Sequence, residues 1–235
     1  MGLCKKKRDL NEQELEEEFG TKWIWTALDT TTRLIACFLI ADRTLQDARH
    51  FLKDLVSRTN EMPLFTSDEL PHYADGLKEL FHTSVPHEPT GRKGRPRNPE
   101  KVVDKELDYA TVHKTREKGR VVKVEKNIVF GSHDRIERRL EQLPSKTVNT
   151  SYVERSNLNW RTWDAHLTRK CLTFAKSLRW LKAKFAICVG FYNFIRSHET
   201  LSRGDDRVFR AKTPAMSAGI TDHQWTIREL LAYPA

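Results

Sequence analysis

The chain predicts an α/β fold: a mixed sheet flanked by helices, with a helical C-terminal part. Three observations predict it. The apolar runs Lys22–Leu28 and Arg33–Ile40 are rich in β-branched and aromatic residues and are joined by a short polar turn. They are followed by Ala48, Phe51, Leu52, Leu55 and Val56, which fall on one helical face, and then by a short apolar run that ends in Asp68. Further on, Tyr109–Lys114 and Arg120–Phe130 alternate around Glu117-Lys-Gly119 and read as a basic β-hairpin.

Each element has a local reason. Asn11 caps a first helix, Glu14 completes its capping box, Leu10 staples to Leu15, and Gly20 stops it. Asp29-Thr-Thr-Thr32 forms the turn of the 22–40 hairpin. Thr44 caps the next helix, which runs to about Arg58. Pro63 to Asp68 is a short strand, and Pro71 opens a helix with Tyr73, Leu77, Leu80 and Phe81 inward. From Pro86 to Lys101 the composition changes: Arg92, Lys93, Arg95, Arg97 and Lys101 come with no aliphatic or aromatic residue beyond Pro86. This is a basic loop, either an arm that tracks a nucleic-acid backbone or a plain solvated loop. A short helix spans 134–143 before Pro144, and a long one follows Leu178 to about Ser197. The expected partition is 1–21, 22–85, a basic insertion at 86–148, 149–200, and a C-terminal tail at 201–235.

Composition narrows the function. The 235 residues carry 41 Lys and Arg against 32 Asp and Glu, a net charge of +9. A basic chain of this size with mean hydropathy −0.64 points to a polyanionic partner, with nucleic acid first and a membrane surface or ribosome behind it. No apolar run approaches the ~18 residues of a membrane span, and Met1-Gly-Leu-Cys-Lys-Lys-Lys-Arg8 has no apolar segment after its charges, so it is not a secretory signal. The four cysteines are scattered without a C-x-x-C pair, which argues for a reduced cytosolic protein, with Cys37 as core.

The organising stretch is Asn149-Thr-Ser-Tyr-Val-Glu154-Arg-Ser-Asn157-Leu-Asn-Trp-Arg161, running on to Arg169-Lys170. Thr150 or Ser151 caps its helix. Seven helical steps of about 100° leave Glu154 and Arg161 on one face, roughly 10 Å apart along the axis, with Asn157 between them. A carboxylate below an amide and a guanidinium suits a metal-bound phosphodiester; an ordinary solvated face has the same spacing. Trp160 either stacks on a base or fills core.

On these residues the chain resembles a known family. Phe65-Thr-Ser-Asp68-Glu-Leu-Pro-His-Tyr73 is similar to the second acidic motif of insertion-sequence transposases. Tyr152-Val-Glu154-Arg-Ser-Asn157-Leu-Asn-Trp-Arg161 with Leu167-Thr-Arg169-Lys170 looks like their glutamate motif. Tyr192-Asn-Phe-Ile-Arg196-Ser-His198 and Thr213-Pro-Ala-Met-Ser-Ala-Gly219 look like their C-terminal signature. The nearest resemblance is to the insertion-sequence-one family of DDE-type transposases, from Lys5 onward. It implies an RNase H-like domain that cuts transposon ends and transfers the strand into target DNA. It implies two Mg²⁺ (or Mn²⁺) ions held by three acids, with Asp68 bridging them and Glu154 holding the second. It places Arg161 on a terminal phosphate, Asn157 as a helper, and Arg169 and Lys170 on backbone phosphates. It further implies a homo-oligomer acting on DNA in a bacterial or archaeal cytoplasm, at the nucleoid, with no membrane.

The chain departs from the family at the first acid. Asp29 ends a strand, but it falls at the turn of the hairpin rather than on a first strand, so it is expected to be a turn residue. Asp42, Asp47 and Asp75 are poor substitutes. The expectation is a first strand largely missing, with residues 1–7 as its stump, and with it a rival function: a non-catalytic DNA-binding regulator. Glu69 after the second acid and Ser197 between Arg196 and His198 are smaller departures.

Overall fold

The computed structural model describes residues 22–87, 97–118, 120–168, 173, 175–203 and 208–233. The helix expected at 11–20, the strand stump at 1–7, and Arg92, Lys93, Arg95, Arg169 and Lys170 lie outside them. The chain forms two compact units, one of residues 1–43 with 151–235 and one of residues 44–150. It is an α/β protein with small sheets and flanking helices.

The first unit opens with the expected hairpin, β1 (Trp23–Leu28) antiparallel to β2 (Ile35–Ala41). Trp25, Ile35, Cys37 and Ile40 are buried from its faces. Asp29 makes the turn. Its carboxylate accepts the amides of Thr31 at 3.0 Å and Thr32 at 3.2 Å, and also the Thr32 hydroxyl. Strand β2 begins at Ile35 rather than Arg33, because Arg33 turns back in the left-handed region at φ 64°.

The second unit starts with α1 (Leu45–Ser57), whose cap Thr44 accepts the Asp47 amide at 3.1 Å. Strand β3 (Leu64–Asp68) leads to α2 (Pro71–Leu80), which packs on α1. A methyl on Gly76 would sit 2.7 Å from Leu52 Cδ1, so glycine lets the two helices meet without displacing the end of that side chain. Strands β4 (His82–Val85) and β5 (Glu100–Val103) then pair antiparallel, so the basic loop is the connection of a small hairpin.

Strands β6 (Asp108–Glu117) and β7 (Arg120–Phe130) form the long hairpin, and α3 (His133–Gln142) follows. The hairpin is not an insertion beside the sheet, as its sequence position suggested. Strand β6 pairs parallel with β3 and antiparallel with β7, making it the middle of a three-stranded mixed sheet. Residues 108–112 are all buried, as a strand covered on both faces must be. The start of β6 is fixed by a buried ion pair. Arg135 Nε donates to both oxygens of the fully buried Asp108 at 2.9 Å, and Arg139 Nε approaches at 3.2 Å.

The chain returns to the first unit with α4 (Ser151–Trp163), a 3₁₀ turn at Ala165–Leu167, and α5 (Leu178–Gly190). The expected single helix to Ser197 is interrupted, because α5 passes at Gly190 into a π-helical turn, Phe191–Ile195. Short helices α6 (Glu199–Ser202), α7 (Pro214–Ser217) and α8 (Ile227–Ala232) close the unit, the last with a Thr226–Glu229 capping box. No helix among the described residues is long and apolar enough to cross a membrane.

The core of this unit is built on Trp160, which is fully buried. Edge-to-face rings surround it: Trp163 at 5.5 Å, Phe185 at 5.2 Å and Tyr192 at 5.5 Å. Trp160 is therefore core rather than a base-stacking platform. Each such pair adds about 0.5–1.5 kcal/mol beyond area burial.

Candidate functional site

The buried face of α4 carries Ser156 and Trp160. Glu154 lies about 160° around the helix from Ser156 and about 120° from Trp160, so anchoring Trp160 in the core turns the carboxylate outward. Glu154 is exposed in the first helical turn, Asn157 is half-buried, and Arg161 is half-buried in the last turn. The expected face of carboxylate, amide and guanidinium is therefore present on one helix. A carboxylate in the first turn also sits well against the positive helix terminus.

Asp68 belongs to the second unit. It ends β3 opposite Val112 of the parallel strand β6, and it is exposed. Its neighbours are fixed by the sheet. Ser67 Oγ donates to the Asp68 carbonyl at 2.6 Å, so the Tyr109 hydroxyl, 2.7 Å away, donates to Ser67. Burial pushes the Tyr109 hydroxyl above its usual pKa, the Ser67 bond opposes this, and the charges of Asp68 and Glu69 raise it further. Tyr109 thus stays protonated beside the acids. Glu69, the residue that departs from the family pattern, is held by His113 Nδ1 and by Asn127 Nδ2 at 3.3 Å. It is tied to β6 and β7, whereas the Asp68 carboxylate makes no hydrogen bond or ion pair to another described side chain.

Asp68 and Glu154 supply hard carboxylate oxygens of the kind that hold Mg²⁺. Both oxygens of Asp29 accept hydrogen bonds within its own turn, as the turn role expected from the sequence requires. No group of three His, Cys, Asp or Glu side chains close enough to hold a metal occurs among the described residues. Arg97 is exposed just before β5.

The Tyr192–His198 signature has a structural half and an open half. Asn193 is buried and pairs with the edge of β2 as another strand would: its Oδ1 accepts from Ile35 N at 3.0 Å and its Nδ2 donates to Ile35 O at 3.0 Å. Tyr192 donates its hydroxyl to the Arg33 carbonyl at 3.0 Å. Arg196 lies over the Trp163 ring at 4.7 Å. Arg196 and His198 then line a cavity of about 560 Å³ together with Arg33, Tyr152 and Arg155. Sequence reasoning passed over Arg33 and Arg155. The sequence carries no signal for them, because Arg33 takes its left-handed conformation only in the folded turn.

Comparisons with protein families, curated proteins and solved structures return no match to this chain.

Proposed function

We propose that this chain is the catalytic part of a DNA transposase, of RNase H-like type and similar to the insertion-sequence-one family, which cleaves transposon ends and joins them to target DNA. The observation that carries the proposal is the outward face of α4, where Glu154, Asn157 and Arg161 stand in the order that the glutamate motif requires. Asp68 adds to it, as an exposed acid at the carboxyl end of a strand with a parallel neighbour.

Bound Mg²⁺ or Mn²⁺ would supply an activated water or 3′-hydroxyl and stabilise the leaving oxygen. Asp68 and Glu154 would hold it. Arg161 would grip a phosphate of the transposon end, and Asn157 would orient it. The exposed hairpin arm and basic loop carry Arg97, Lys101, Arg116, Lys123 and Lys126, and would track the DNA backbone. Partners would be transposon-end and target DNA and a second copy of the chain, in a bacterial or archaeal nucleoid.

The commitment of Asp29 to its turn supports a second reading, a DNA-binding regulator without the full set of acids. The two separate in one assay. Plasmid DNA carrying the gene with its flanks is incubated with the full chain and Mg²⁺ or Mn²⁺. A transposase nicks the element ends, and Glu154→Ala abolishes nicking while DNA affinity stays within about twofold. Salt-sensitive binding with no nicking in either metal selects the regulator. Nicking retained by Glu154→Ala removes Glu154 from the site.

A further inference from the structure

The cavity of the first unit is lined by three arginines and a histidine. Arg33 is only 6 % exposed, yet its Nη1 has no hydrogen-bond partner among the described residues. The guanidinium lies over the Tyr152 ring, 3.7 Å from its centre, which offsets part of the desolvation. His198 Nδ1 is likewise buried without a partner. Arg155 and Arg196 complete the wall, and against them stands one carboxylate, Glu199, already paired with Arg203 at 2.9 Å.

The backbone is bent to make this arrangement. Arg33 sits at φ 64°, a conformation that costs a non-glycine residue free energy. It is held there by its amide bond to Asp29 O at 2.8 Å and by the Tyr192 hydroxyl on its carbonyl. Burying an incompletely paired guanidinium costs free energy. Arg33 and His198 both line the cavity, and an anion there would meet the sides of the guanidinium and imidazole that face it.

We propose that this cavity is a phosphate-binding pocket, in which Arg33, Arg155, Arg196 and His198 hold a phosphoryl group of a nucleic-acid strand, apart from the acids that would carry out cleavage. A planar guanidinium fork matches phosphate oxygens, and Tyr152 at the start of α4 fixes the plane of the fork. The nucleic-acid source rests on the DNA reading above; the phosphate chemistry does not.

The first test is thermal unfolding of the full chain in inorganic phosphate against chloride at equal ionic strength. The expected result is a midpoint that climbs with phosphate concentration, as for any ligand that binds only the folded state. In Arg33→Met the climb disappears or needs at least about tenfold more phosphate. Folding of that variant is checked by its own chloride midpoint. Should it not fold, the imidazole of His198 in the wild-type chain, assigned through His198→Gln, gives the answer. Burial and the neighbouring Arg33 and Arg196 hold its pKa below the usual value against the opposing Glu199, and bound phosphate should raise it. A wild-type midpoint and a His198 titration both indifferent to phosphate, or an equal response in Arg33→Met, would overturn the pocket. The second arm measures affinity for a short duplex at fixed salt. A fall of about tenfold in Arg33→Met supports a nucleic-acid phosphate, and an unchanged affinity overturns that assignment. Phosphate binding through Arg33 with no DNA binding at all sinks the transposase reading and leaves the pocket standing for another phosphorylated ligand.

Discussion

Two of the buried charges, Asp108 in one unit and Arg33 in the other, are treated in opposite ways. Asp108 is fully buried and saturated: Arg135 grips both its oxygens, Arg139 adds a second cation, and Gly131 presses against it. Arg33 is nearly as buried, and it has a tyrosine ring beneath it but no acceptor for Nη1 among the described residues. The first arrangement is what a folding role demands, because a buried charge is tolerable when its whole hydrogen-bonding capacity is met. The second is what a binding role produces, with capacity left over for a ligand.

The contrast can be broken or sharpened experimentally. Asp108→Asn leaves two arginines facing a neutral amide and is expected to lower stability by about 3–5 kcal/mol, read from the urea midpoint. A loss under about 1 kcal/mol would put Asp108 with ordinary surface pairs.

Tyr192, which holds the Arg33 carbonyl, gives a pH test. Burial pushes its hydroxyl up to about 12, with Arg33 and Arg196 acting against the rise. A raised value means that folding favours the protonated form. The contribution is complete below the unfolded value of about 10 and is lost as pH climbs through about 12, an effect of roughly 2–3 kcal/mol. Urea midpoints across that range should fall in the wild type, and Tyr192→Phe should remove this component.

Gly131→Ala is the next step down. Gly131 has φ 99°, and an added methyl would lie 2.1 Å from Asp108 Oδ1, so about 1–3 kcal/mol of stability is expected to be lost. The smallest effect has the opposite sign. Arg33→Met removes a desolvated charge and no acceptor bond, so in chloride it should gain about 1 kcal/mol and raise the thermal midpoint by a few degrees. A clear loss would make Arg33 structural, and the two charges would no longer differ in kind.

Local signals explain what was legible in the sequence. The turn at Asp29, the Thr44 cap, Pro71 at the start of α2 and the β6–β7 hairpin all follow from short-range chemistry or periodicity, and the structure has them; Trp160, open between core and base stacking in the sequence, is core. Non-local pairing explains what was not. Strand β6 became the middle of a sheet through a parallel partner some 44 residues earlier, as in Leu64 opposite Asp108. Strands β4 and β5 are short, mostly exposed and separated by the basic loop, so neither shows a buried face to read. The π turn at Phe191–Ile195 hides inside a helical pattern. At the candidate site the Glu154 face was legible because one helix carries it, while the Arg33 pocket was not, since it joins a turn, the start of α4 and the chain after α5.

The carboxylates of Asp68 and Glu154 acting as metal ligands are tested most directly by changing the metal preference. Asp68→Cys and Glu154→Cys replace a hard oxygen with a soft sulfur, which Mg²⁺ binds poorly and Mn²⁺ tolerates better. The expected result is strand cleavage by the wild-type chain in Mg²⁺, none by either variant in Mg²⁺, and partial recovery of both in Mn²⁺. Full activity of the variants in Mg²⁺, or no metal-dependent cleavage by the wild-type chain in either ion, would contradict it.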